Sequence, residues 1–235
     1  KLDDHTKSCI RAFARLVHNT IASRSSSKLE DSFYHPFEGV YNTFMIPPNN
    51  NSEVLAEMTE QAIKSVYASM MFKCSRSYLA ATSNLIDEEM MGIIIQPVCG
   101  NNYNGLFYPT LSGVARSLNY YPVGPEKTTD GIVNLAYGLG KYIAEGGTTL
   151  RFSPKYPQKI IQLSNPQMAL SETQKYFYAL DMDINKFHPS VDDKVNFRQI
   201  PVNDAERNRA GELSVRKGKQ LQRGRKAGNS GTATG

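Results

Sequence analysis

Long apolar runs are missing from this chain. The longest, such as Gly92 to Ile95, fall far short of the roughly 18 residues needed to span a bilayer, and no apolar leader segment follows Lys1. No membrane association is expected, and a cytoplasmic address is. Cysteine is scarce as well. Cys9, Cys74 and Cys99 are odd in number and widely spaced, which excludes a disulfide framework or a zinc knuckle. All three are expected to be reduced, mostly buried small hydrophobes. An excess of one charge is absent from most of the chain. Eight of the 27 basic residues and two of the 22 acidic ones fall between Glu206 and Gly235, leaving 19 basic and 20 acidic groups in residues 1–205. The formal charge of +5 therefore describes the tail. Nothing in the charge of the rest points to nucleic acid.

With 40% hydrophobic residues, the 235-residue chain has enough material for one large domain or two small ones. Cys9, Ile10, Phe13, Leu16 and Val17 recur at helical spacing, predicting an amphipathic helix over 6–19. Thr20 to Ala22 predict a short strand running into a serine cluster. A second helix is predicted over about 52–80, with Val54, Leu55, Met58, Ala62, Val66, Met70 and Cys74 on one stripe and Asn50 and Glu53 as its capping pair. Met91 to Val98, with three consecutive isoleucines, predicts a strand buried on both faces.

Asn101 and Asn102 mark a turn, and further strands are predicted at 105–109, 113–117, 131–137 and 148–153. A short helix is expected between the last two. After Pro166 a helix is predicted to end near Leu180. Interleaved strands and helices give an α+β or mixed α/β class. From Glu206 onward hydrophobic periodicity disappears, and the tail 206–235 is expected to be disordered and separate from a folded portion spanning 1–205.

Residues 23–32 read Ser-Arg-Ser-Ser-Ser-Lys-Leu-Glu-Asp-Ser. A guanidinium pairs phosphate oxygens bidentately, and nearby hydroxyls and backbone amides complete such a cradle. By composition alone the segment is either an anion site or a solvated turn. Glu30 and Asp31 read equally as metal ligands or as acids at a helix N-terminus. The Asp181, Asp183 pair has the spacing of a shared magnesium site or of a solvated loop.

Order and context add what composition lacks. The Arg-Ser-Ser segment with Glu30 and Asp31, followed by Gly39 and Tyr-Asn-Thr-Phe at 41–44, resembles a signature of the phosphoenolpyruvate synthase and pyruvate phosphate dikinase nucleotide-binding domain. Downstream, residues 89–100 resemble that family's strand and adenine hinge. Ser112-Gly113-Val114 resembles its Ser/Thr-Gly-Val step, and residues 131–147 resemble its Gly-Leu-Gly-Glu segment. Four matches in family order cover about 125 residues.

The resemblance implies an ATP-grasp-like domain, partial at both ends, that takes ATP with Mg2+. Carried over residue by residue, it implies that Arg24 contacts nucleotide phosphates, with Ser25 and Ser26 shaping the turn. Gln96 and Val98 would border the adenine, the hinge offering backbone hydrogen bonds. Gly138 and Gly140 would permit close backbone approach. Arg116 faces either phosphate or ordinary surface. Lys141 stands where the family usually has glutamate. Glu145, one helical turn on, is either its substitute or solvated surface.

The family's upstream lysine-bearing segment and its closing acidic and Gln-x-Arg strands find no match. None of His5, His18, His35 and His188 has the context of its phosphocarrier histidine. A carrier-histidine domain and a pyruvate-binding domain are thus expected as partners elsewhere in a complete enzyme. Without these parts the isolated chain is expected not to turn over, even if nucleotide still binds. Two other readings compete: a non-catalytic nucleotide-binding or regulatory module, and a nucleic-acid binder resting only on the basic residues between Arg207 and Lys226.

Overall fold

The first helix, α1, runs over Asp4–Leu16. It starts where Asp3 accepts hydrogen bonds from the Thr6 backbone N–H at 2.9 Å and the Thr6 hydroxyl at 2.6 Å, an N-cap that satisfies an otherwise orphaned donor. This is a computed structural model, and it describes residues 1–27, 41–81, 90–183, 185 and 187–205. The basic tail, Glu30, Asp31 and Gly39 lie outside the described residues.

Three strands, β1 (Ile21–Ser27), β2 (Phe44–Ile46) and β3 (Met91–Pro97), form an antiparallel sheet in the order β2-β1-β3. One face packs against α1 and against α2 (Ser52–Ser69) through Ile10, Ala14, Ile21, Phe44, Ile46, Leu55, Ala62 and Val66. Arg11 and Arg15 of α1 both reach Glu53 at the start of α2, at 3.4 and 3.6 Å. The cap of α2 is Asn51, one residue beyond the expected Asn50; its side chain accepts from Glu53 N–H.

The helix predicted over 52–80 is two helices, α2 and α3 (Lys73–Ala81). The break falls where the Ser69 hydroxyl donates back to the Val66 carbonyl and the Ser75 hydroxyl donates to the Ser69 carbonyl. Side-chain hydroxyls there stand in for helical N–H donors.

A second sheet has the order β10-β9-β5-β4, built from β4 (Asn101–Tyr103), β5 (Leu106–Tyr108), β9 (Tyr176–Asp181) and β10 (Phe197–Pro201). The expected turn at Asn101 and Asn102 belongs instead to Asn104-Gly105, whose φ values are 53° and 84°. Those left-handed angles make the tight hairpin that Asn-Gly favours. A third sheet, β6-β7-β8, comprises β6 (Leu111–Arg116), β7 (Ile132–Tyr137) and β8 (Leu150–Phe152). The short helix α4 (Lys141–Ala144) follows β7 as expected.

Two expectations are overturned together. The helix after Pro166 is only α5 (Pro166–Ser171), and Tyr176 to Leu180 are strand β9. That strand lies between β10 and β5, with Phe177, Tyr178, Ala179 and Leu180 all buried. Conversely, β3 alternates half-buried and exposed residues, because one face of its sheet is backed by helices and the other is open among the described residues. The strand buried on both faces is β9. The cysteines are also corrected: Cys9, Cys74 and Cys99 are all exposed and unbonded to one another. No described helix is long and apolar enough to cross a membrane.

Candidate nucleotide site

Strand β1 places the arginine-serine motif. Its residues alternate between the two faces, as any strand's do. Ser23, Ser25 and Ser27 are buried, while Arg24 and Ser26 are exposed. The motif is therefore strand where a turn was expected at Ser25 and Ser26, and Ser25 points away from the face that carries Arg24. Opposite Arg24 in the antiparallel register is Ile94, opposite Ser26 is Gly92, and opposite Ala22 is Gln96. Paired residues share a face, so Arg24, Ser26 and Gln96 stand together on the open side of the sheet.

The Arg24 side chain makes no hydrogen bond or ion pair among the described residues. Other cations differ. Arg198 pairs with Asp181 at 2.8 Å, Lys155 with Asp130 at 2.9 Å, and Arg151 donates to the Asn119 carboxamide at 2.9 Å and the Tyr121 carbonyl at 2.7 Å. Arg116, exposed at the far end of β6, is likewise unbonded among the described residues.

At the hinge, Val98 is half-buried and packs against the aromatic core. Its N–H donates to the Thr20 carbonyl at 2.8 Å, so that donor is occupied within the fold. Pro97 has none to offer. The hinge's remaining capacity lies in β3, the outer strand of the described sheet, whose alternate backbone groups point outward.

Gly138 and Gly140 behave differently from each other. Gly138 has a φ of 84°, and a methyl group added to it would lie 2.7 Å from the Phe177 ring and 3.0 Å from the Tyr178 carbonyl. Its own carbonyl accepts the Ser112 hydroxyl at 2.6 Å, and the next residue, Leu139, donates to the Tyr178 carbonyl at 3.2 Å. Gly140 has an ordinary helical φ of −60°, and its nearest neighbour is Ser112 at 3.7 Å. Ser112 thus meets both glycines, a role of the Ser-Gly-Val step that the sequence left unassigned.

Lys141 and Glu145 form one network. The Glu145 carboxylate takes Lys141 Nζ at 3.2 Å, Lys194 Nζ at 3.2 Å and the Tyr178 hydroxyl at 3.0 Å. Lys141 also lies 5.5 Å from the centre of the Phe197 ring. Glu145 is therefore not freely solvated surface. Burial pushes its carboxyl up, but the Tyr178 hydroxyl and the lysines outweigh that and hold it below the usual range. Burial and the adjacent carboxylate push the Tyr178 phenol well above its ordinary value.

A metal finds little here. Among the described residues no group of three or more His, Cys, Asp or Glu comes together. Asp181 is held by Arg198, and one of its oxygens also accepts the Asp183 backbone N–H at 3.1 Å. Both oxygens of the Asp181 carboxylate are thus engaged within the fold.

The family described as pyruvate phosphate dikinase, AMP/ATP-binding domain, matches residues 1–210. The chain belongs to that family. The match supports ATP as the ligand of this dikinase-type domain. Over 135 residues the chain is 31% identical to a protein of Bacillus subtilis (strain 168) described as the uncharacterized phosphotransferase YvkC. That alignment covers 57% of this chain and 14% of the relative, so the chain spans a small part of that protein's length. The predicted residues of the dikinase-type domain fall in two groups. Arg24, Ser26 and Gln96 share the open face of the first sheet, whereas Gly138 and Gly140 meet Ser112 at the junction of the other two.

Proposed function

We propose that this chain is the nucleotide-holding part of a dikinase-type phosphotransferase, with an ATP-grasp-like arrangement and a cytoplasmic setting. ATP lies against the open face of the β2-β1-β3 sheet, its phosphates toward Arg24 and its base toward Gln96 and the outer edge of β3. The Gly138 turn contributes backbone on the other side. In the complete protein the phosphoryl group passes from ATP to a carrier histidine on another domain and then to pyruvate, with Mg2+ accompanying the nucleotide. Residues 1–205 form the nucleotide-binding part, and the basic tail is separate from it.

The observation that carries this reading is Arg24. A guanidinium with no side-chain partner among the described residues is set on an open sheet face beside Ser26 and Gln96. Charge-assisted hydrogen bonds to phosphate are the strong ones. Calorimetric titration with ATP, with and without Mg2+, tests it. Arg24→Ala should weaken binding roughly tenfold to a hundredfold while leaving the melting temperature unchanged, because the side chain is exposed and has no partner among the described residues. Equal affinity in wild type and mutant rules out the phosphate assignment.

Lys141 favours a second reading, a module that binds nucleotide without turnover. It puts a cation, already engaged with Glu145, where the family usually has an acid. Magnesium-dependent ATP hydrolysis by the chain alone would argue against that alternative.

A further inference from the structure

Gln174 lies in the connection between α5 and β9, in a segment whose sequence suggested only helix. Its side chain makes three hydrogen bonds, all to backbone. Oε1 accepts the Tyr137 N–H at 2.7 Å, and Nε2 donates to the Tyr137 and Tyr176 carbonyls, both at 2.9 Å. A carboxamide offers two donor hydrogens and one carbonyl acceptor, and all three groups are used. β8 pairs with β7 only along Val133 to Leu135. Past that point Gln174 takes over, bonding the β7 backbone as a strand would and tying it to β9.

Tyr137 immediately precedes Gly138. The glycine turn is therefore held from three directions. Ser112 of β6 holds the Gly138 carbonyl, Tyr178 of β9 holds Leu139 N–H, and Gln174 holds both backbone groups of Tyr137. Phe177 closes the space in which the turn could otherwise shift. A ligand site made of backbone depends on such support, because displacement of about an ångström is enough to spoil the geometry of bound groups.

We infer that Gln174 is a positioning residue for the nucleotide: it fixes the backbone of the Gly138 turn by bridging β7 and β9. The inference rests on the reading of that turn as part of the nucleotide site. Gln174→Leu removes all three bonds. Gln174→Glu keeps the acceptor for Tyr137 N–H but turns carboxylate lone pairs toward two carbonyls; on protonation the acid regains one donor.

The experiment uses the full chain and two readouts, titration with MgATP and hydrogen exchange at the amides of residues 137–139. Both variants should bind MgATP on the order of tenfold more weakly at neutral pH. Exchange should quicken at 137–139 and stay unchanged in β1 and β3. The Gln174→Glu variant should recover affinity relative to wild type as pH falls toward about 5, with exchange slowing again at 137–139 and unchanged in β1 and β3 throughout; exchange that quickens in β1 and β3 as well would mean general loosening and overturn the inference. If Gln174→Leu fails to fold, Gln174→Glu and its pH profile decide the matter. Unaltered affinity in Gln174→Glu, beside a wild type that binds, overturns the inference and leaves the nucleotide reading standing. A folded wild type that binds no MgATP overturns that reading and the inference with it.

Discussion

In the β2-β1-β3 sheet the buried face sets Ser23, Ser25 and Ser27 against aliphatic helices, whereas in the β10-β9-β5-β4 sheet the interior is filled by rings. Tyr108 stacks at 4.6 Å from Tyr103 and 4.8 Å from Phe177, and Tyr142 meets Tyr176 edge-on at 5.2 Å. The buried polar groups do not follow that division so cleanly, since the Tyr137 hydroxyl among the rings is buried without a partner among the described residues. Around the rings, Gln174, Glu145 and Ser112 are bonded to named partners. In the first sheet the Ser23 hydroxyl is 0% exposed and has no partner among the described residues, while Arg24 waits on the open face. The aromatic region is interlocked and costly to alter; the helix-backed sheet leaves an exposed guanidinium on its open face.

That contrast is broken most severely at Gly138. Gly138→Ala combines a left-handed φ of 84° with overlap against Phe177 and Tyr178, each a source of strain. The expected loss is about 3 kcal/mol, roughly 6–12 °C in melting temperature for a domain of this size. Gly140→Ala is the control. With a φ of −60° and its nearest contact at 3.7 Å, it should change stability by under about 0.5 kcal/mol. Equal melting temperatures for the two variants would show that the turn is not locked.

The difference between Gly138 and Gly140 was not legible in the sequence, where both read simply as close-approach glycines. Only the packing of Phe177 separates them. Much of the chain was legible because its signals are local: the existence of α1, though only Ile10 of its expected stripe is buried, the β6 and β7 strands, and the short helix after the glycines. β9 was not. Phe177 to Leu180 are buried on both faces, so they show neither a period of two nor one of 3.6, and such a run is ambiguous between strand and helix. The isoleucines of β3 misled in the opposite sense, since an exposed isoleucine opposite Arg24 is decided by what lies across the sheet. Gln174 leaves no sequence signal at all, because its partners are backbone atoms. Proposing Arg24 needed only the motif, but knowing that Ser25 points away from it needed the strand.

The Ser23 hydroxyl, unbonded among the described residues, gives a smaller test of how the first sheet is built. It lies opposite Ile95 on one side and Phe44 on the other, and burying a hydroxyl without a partner is unfavourable. Ser23→Ala removes that group and leaves almost no cavity. It should stabilise the chain by about 1 kcal/mol, read as a higher denaturation midpoint with unchanged slope. A drop in the midpoint would mean that the hydroxyl is bonded in solution, and the first sheet would then resemble the second.

The smallest effect belongs to the aromatic region and depends on pH. Glu145 is held below its ordinary carboxyl value of 4.5 by Tyr178, Lys141 and Lys194, against the opposing effect of burial. A group whose pKa is lower folded than unfolded stabilises the fold above the unfolded value and loses that contribution as pH falls through the folded one. Glu145→Gln should therefore cost up to about 1 kcal/mol at neutral pH. The gap between wild type and variant should close progressively as pH drops below about 4.5, where the wild-type carboxyl also becomes neutral. Melting curves of the two proteins across that range check it. A gap that stays constant would assign the role of Glu145 to the shape of its side chain, and the two lysines would be bystanders.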